Sequence, residues 1–243
     1  MHPAAACAIA LALRFQTGDR IVEHSYYDDH IAWVLPPDRL AVFARSGVVI
    51  DEDSRIAIVS RADVSPAARG IDRLDGTVFK TTQDMPRHRT THSLTGFQAQ
   101  ITPRNELLPA RRLDLEEAGM AELPVGHLCV GQSWKTRLPV GTSLGSGVAT
   151  VTHTITGIEG SLVQVSVTAA GVISGLEYNL PRLLPGSIEM HGTAWFDLST
   201  HSLMHESYAV RNRLLRTVKG KTIGFDETES VDVTTHVYKP PTR

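Results

Sequence analysis

The chain has 243 residues, of which 42% are hydrophobic and 21% charged, and its formal net charge is -2. That is enough to bury a core in one large or two modest domains of ordinary soluble composition. With no basic excess to meet phosphates, nucleic acid is not the expected partner. The two cysteines, Cys7 and Cys129, are too few for a disulfide framework and form no C-x-x-C motif.

The chain opens on MHPAAACAIALAL. Its run of about ten apolar residues is far short of the roughly 20 a membrane span needs. Residues 1–12 read as the end of a secretory signal. Ala8-Ile9-Ala10 and Ala10-Leu11-Ala12 supply the small-residue pattern, with cleavage expected after Ala12. Only Met1 and His2 precede Pro3, so the charged leader of such a signal is missing, and the alternative is a first apolar strand. A lipoprotein signal is disfavoured, because PAAAC lacks the usual leucine before Cys7.

Residues 13–107 read as a β-rich half. ALRFQTGDRIVEHSYY alternates around a Gly18-Asp19 turn, and YYDDH is expected to be a turn as well. RLAVFARSGVVIDEDSRIAIVSRAD gives two or three short β-branched runs, broken at Ser46-Gly47 and at an expected hairpin tip, Asp51-Glu52-Asp53. In HSLTGFQAQITPRNEL, Phe97, Ala99 and Ile101 alternate with polar neighbours, so one face is apolar. Residues 108–123, between Pro109 and Pro124, form the best helix candidate and are expected to connect two halves.

Residues 124–243 resume the strand pattern. In GVATVTHTITGIEGSLVQVSV, Ala149, Val151, His153 and Ile155 share one face, and a turn at Gly157–Gly160 leads into the next strand. GTAWFDLSTHSLMHES reads as a second hairpin and ESVDVTTHVYK as a closing strand. LRFQTGDRIVEHSYY and LCVGQSWKTRLPV echo one another, which a duplicated β-meander would produce as readily as chance. The fold expected is mainly β: antiparallel, strongly curved, half-barrel or barrel-like, with one or two short helices.

Chemistry is thinly signalled. GTSLG matches G-x-S-x-G around Ser143, but a β-branched strand follows where a nucleophile elbow needs a helix. A serine hydrolase would pair Ser143 with His153 or His127. His201 and His205 would share a metal on a helix, but on a strand they stand about 13 Å apart. Glu206 also follows the second histidine instead of the first, so no metal site is assigned. His88 and His92 fail similarly. Asp28 and Asp29, as neighbours, would point to opposite faces of a strand. Asp197 precedes Ser199-Thr200 and is expected to fix a turn. No phosphate loop or dinucleotide fingerprint is present, so no cofactor is expected.

Leu123, Pro124, Val130, Gly131 and Trp134, then Gly157, then Gly192, Phe196, Asp197, Leu198 and Thr200, form a spaced pattern of turn and core positions. The pattern resembles that of a class of β-rich bacterial envelope proteins, secreted or lipid-anchored. In that class the turn after the threonine usually carries glycine, where this chain has His201. The resemblance implies a periplasmic or secreted location, with membrane association open, and a curved sheet. By fold-level analogy that sheet would bind lipid, an acyl chain or a partner protein. Trp33, Phe97, Trp134 and Trp195 are the candidate lining residues, and each also reads as core. Two alternatives stand beside a non-enzymatic binding protein: the Ser143 hydrolase, and an assembly module with an exposed edge strand.

Overall fold

The computed structural model describes all residues except 1–6, 47–49, 67–69, 109–112, 115–118, 142–144, 177–182 and 241–243. Strand β1 (Cys7–Ile9) is followed by β2 (Arg20–Val34), helix α1 (Pro37–Arg45), β3 (Asp51–Pro66), β4 (Asp72–Asp84) and β5 (Arg89–Ile101). Three two-residue strands come next: β6 (Leu107–Leu108), β7 (Leu113–Asp114) and β8 (Leu128–Cys129). The chain then runs through β9 (Ser133–Gly141), β10 (Ser146–Glu159), β11 (Leu162–Leu176), β12 (Leu183–Asp197), β13 (Ser202–Val218) and β14 (Lys221–Tyr238).

The expected mainly-β, curved architecture is what the chain adopts. One sheet runs in the order β6-β5-β4-β3-β2-β14-β13-β12-β11-β10-β9-β7, antiparallel throughout except for the β7–β9 contact. Two meanders meet at a central seam where β2 pairs β14 from Arg20↔Tyr238 to Val34↔Gly224. The two halves therefore share one sheet and one core. Covalent geometry shows that the sheet must curl. Eleven strand spacings of about 4.8 Å would place its outer strands about 50 Å apart if flat. Those outer strands, β6 and β7, end and begin at Leu108 and Leu113, five Cα steps that reach at most about 18 Å.

The curl buries one face. On β10, Ala149, Val151, His153 and Ile155 are all fully buried, as their alternation predicts, and they face Val163, Val165 and Val167 of β11 in the same interior. The opposite face carries ion pairs, among them Arg20–Asp63, Arg55–Asp28, His30–Asp53 and Arg211–Asp226. Ile9, Leu11 and Leu13 are core residues, so this part of the N-terminal run packs inside, with β1 paired to β8. Cys129 is disulfide-bonded, and its backbone partner across that ladder is Cys7, the chain's other cysteine.

The echo between the halves is a matched pair of turns. Gly18 and Gly131 both have φ of 88°. Asp19 N donates to Gln16 O and Gln132 N to Cys129 O. Gly18 N donates to Val64 O on β3 and Gly131 N to Ile155 O on β10. The side chains match as well: Asp19 accepts from Gln16 N, and Gln132 from Cys129 N. Each turn launches its strand two residues after the glycine and is fastened to the strand that returns beside it. This shared pattern of six hydrogen bonds and two glycines goes beyond what strand–turn–strand geometry requires.

Three expectations are corrected. Residues 39–45, expected to open a strand run, belong instead to helix α1, Pro37–Arg45. Its first position is a proline, Asp38 lies in the first turn and Arg45 in the last, the polarity a helix dipole favours, and these signals override the β-branched run that follows. Asp28 and Asp29 lie inside β2 and not in a turn; the alternation anticipated for a strand puts Asp28 outward on Arg55 and Asp29 inward. Asp51-Glu52-Asp53 opens β3 instead of forming a hairpin tip, because it pairs with Ala32, Ile31 and His30. Of the helix candidate 108–123, Leu108 and Leu113–Asp114 are strand residues, while 109–112 and 115–118 lie outside the described residues.

Candidate functional site

At the end of the interior where β2 begins, the core does not fill the space. A cavity of about 610 Å³ opens between the two meanders, within the range usual for small-molecule sites. Its walls follow from alternation on five strands. β2 contributes Ile21 and Tyr27, β3 Ala62, and β4 Leu74 and Val78. β5 contributes Phe97, Ala99 and Ile101, and Val233 on β14 lies across the seam. Leu13 and Phe15 from the N-terminal segment and Ala121 from the segment after β7 complete it.

That last segment ties the sheet's ends together. Leu123 N donates to Arg104 O at 2.7 Å, Arg104 Nε to Leu123 O at 2.9 Å, and Asn105 Nδ2 to Met120 O at 3.1 Å. On the other side, His153 Nε2 meets Gly119 O at 2.7 Å, which requires the proton on Nε2. Met120, Ala121 and Leu123 are buried.

Two carboxyl groups enter this apolar space, Glu206 from β13 and Glu23 from β2. The Tyr208 hydroxyl donates to Glu206 at 2.7 Å and the Ser25 hydroxyl to Glu23 at 3.2 Å. Burial pushes Glu206 up to about 7, against the lowering effect of the Tyr208 hydrogen bond, and the charge of Glu23 pushes it further. Further along the same face Asp29 sits directly opposite Glu229. Burial first, then the charge of Glu227, raises Asp29 to about 7. An uncharged Glu206 offers a hydrogen-bond donor to whatever fills the cavity.

The four aromatic candidates do not converge. Phe97 lines the cavity, with its ring over Gly76, where an added Cβ would come within 2.7 Å of it. Trp33 lies at the other end of β2, 4.5 Å from the Phe225 ring and 6.1 Å from Phe43 of α1. Trp134 stacks on His153, with ring centroids 4.4 Å apart and planes 6° from parallel. Trp195 shares its row of the sheet with His205, its ring 5.2 Å away, outside the cavity. Glu23 and Glu206 are the charged residues of this cavity that composition and motif spacing do not single out. The strand period gives the missed signal: Glu206, Tyr208 and Val210 share a face.

Ser143 lies outside the described residues. His153 is fully buried, with Nε2 bonded to Gly119 O, and His127 is exposed just before β8. His205 Nδ1 bonds Val233 O at 3.0 Å, while His201 sits in the turn before β13. Asp197 accepts from Ser199 N at 2.8 Å and from the Ser199 hydroxyl at 2.7 Å, fixing that turn. A second depression, of about 730 Å³, lies mainly along the ion-paired outward rows that hold Asp28, His30 and Arg55. Asp28 is paired with Arg55, and His30 with Asp53.

Fold and site together define a curled antiparallel β-sheet protein with an internal apolar cavity that holds carboxyl groups. No family model matches the chain, and no curated protein matches it. Among solved structures, a triple mutant of the Rh. blastica porin is 8% identical, with 90% of this chain and 100% of that chain covered and a TM-score of 0.24. Pseudomonas aeruginosa OpdK with vanillate is 6% identical, with 90% and 99% covered and a TM-score of 0.22. Likeness at these scores carries no argument about this chain.

Proposed function

We propose that this protein is a non-enzymatic binding protein of the bacterial envelope that holds an apolar ligand, a lipid or acyl chain, inside its curled sheet. The cavity carries this reading: about 610 Å³ walled by aliphatic and aromatic side chains, where a well-packed core would leave no such void. Compartment is supported by the disulfide at Cys129, since such bonds persist in oxidising surroundings. Among the described residues the outward rows carry ion pairs and threonines, with exposed apolar side chains such as Phe79, Leu94 and Val172 set among them.

The test is native mass spectrometry of protein gently purified from an envelope fraction, alongside a variant with Ala99→Trp to fill the cavity. A co-purifying lipid lost in the variant supports the proposal. An empty wild-type protein that also fails to bind a fluorescent acyl probe overturns it. Equal binding by the variant would place the ligand elsewhere and remove the cavity from the argument.

A further inference from the structure

The sheet's two long edges are treated differently by the sequence. Along β9 (SWKTRLPVG) the edge carries Lys135, Arg137 and Pro139, all exposed, the residues with which natural sheets discourage added strands. Along β5 (RTTHSLTGFQAQI) there is no proline, no lysine and no acid. Among the described residues β5 has β4 on one side and only β6, at Gln100 and Ile101, on the other. Residues 89–96 are exposed on both faces. An open run of this length, with Arg89 at its start as its one formal charge, is a template for a further strand.

The outward row at this edge is also apolar. Leu94 is 72% exposed and lies directly opposite Phe79, itself 44% exposed. His92 stacks on Phe79 with centroids 5.9 Å apart and planes 10° from parallel.

We propose that β5 pairs antiparallel with β5 of a second copy of this chain, making a two-fold dimer with one continuous sheet. Self-pairing centred on Leu94 sets Leu94 against Leu94 of the other copy and extends the row to Phe79–Leu94–Leu94–Phe79. In that register Thr91 meets Phe97, and Ser93 meets Thr95. His92 falls opposite Gly96, whose missing side chain leaves room, and Arg89 falls opposite Ala99, so neither cation faces its own copy. The protected β9 edge chooses the occupant. A head-to-tail contact of β5 on β9 would propagate into a filament, but Lys135, Arg137 and Pro139 oppose it, so the isologous, closed pairing is the one left.

Sedimentation of the full chain across a concentration series tests this, with Leu94→Lys as the variant and Val172→Lys as control. Val172 is equally exposed, at 73%, but lies on β11. The expected result is a dimer whose dissociation constant rises at least about tenfold in Leu94→Lys, where two ammonium groups meet on the axis, and is unchanged in Val172→Lys. A Leu94→Cys variant should cross-link to itself on mild oxidation, since Cys129 is already disulfide-bonded. A monomer at all concentrations overturns the proposal, as does a dimer that both lysine variants leave intact. A dimer that fails to cross-link at position 94 overturns the register.

Discussion

Tyr208 and Glu206 stand two residues apart on β13 and so share its inward face, with the Tyr208 hydroxyl donating to Glu206 at 2.7 Å. The pair puts an ionisable acid in an apolar space, and the cost of charging it there makes stability depend on pH. Glu206 has a folded pKa of about 7, against 4.5 ordinarily. Its contribution is therefore fully present below pH 4.5 and is lost as pH rises through 7. Glu206→Gln keeps an acceptor for Tyr208 and removes the titration. The variant's gain over the parent should grow from near zero at pH 4.5 to about 3 kcal/mol at pH 8, read from urea unfolding. Asp29, raised to about 7 by burial and by Glu227, keeps a slope of the same sign in the variant. Parallel curves for parent and variant would show that Glu206 is not held neutral.

His153 works in the opposite direction. Burial lowers its pKa from 6.5 to about 4. The stability it confers is complete above pH 6.5 and is lost as pH falls through 4. His153→Phe keeps a ring for Trp134 to stack on but leaves Gly119 O without its donor. We expect a loss of about 1–3 kcal/mol at pH 7 and a shallower acid limb between pH 6.5 and 4. An unchanged acid limb would mean that another group governs it.

His201 occupies a left-handed turn position, with φ of 53°, and its buried Nδ1 has no hydrogen-bond partner among the described residues. Its carbonyl accepts from Arg14 N at 3.1 Å, a contact any residue can make. His201→Gly should therefore raise stability by about 0.5–1 kcal/mol. Thermal unfolding of the two proteins decides it; a lower melting temperature would show that the imidazole contributes something the turn geometry does not reveal.

Gly76 is the floor beneath Phe97. An added Cβ would run into Arg61 O and lie 2.7 Å from the Phe97 ring. Because one of these neighbours is backbone, Gly76→Ala should cost about 1–3 kcal/mol and should tilt Phe97 into the cavity. Weaker binding of an acyl probe is the second readout, and a variant with parent-like stability and binding would refute the close packing.

How much of this was legible depended on whether the signal was local. The faces of β10 could be read because Ala149, Val151, His153 and Ile155 alternate strictly with Thr150, Thr152 and Thr154 on the other face. The Asp197 turn could be read because its hydrogen bonds span two residues. Glu206 and Glu23 could not be joined by such reasoning. They lie 183 positions apart and meet only because β14 comes to rest between β13 and β2. Helix α1 is hard to read locally because Leu40, Val42 and Phe43 suit a strand as well as a helix, and only Pro37, Asp38 and Arg45 near its ends mark it as helical. The pairing of Cys7 with Cys129 has the same character as the cavity, since β1 and β8 are brought together by the fold alone.

The central seam also has a consequence for synthesis. β2 leaves the ribosome long before β14, the strand that covers its second edge and ends at Tyr238. Until then the N-terminal meander exposes that edge and half of the cavity wall, and contacts so distant in sequence form slowly. A nascent chain of this design needs something to shield β2 during those seconds. Truncations that remove β14 should therefore accumulate as aggregates, not as a smaller folded half.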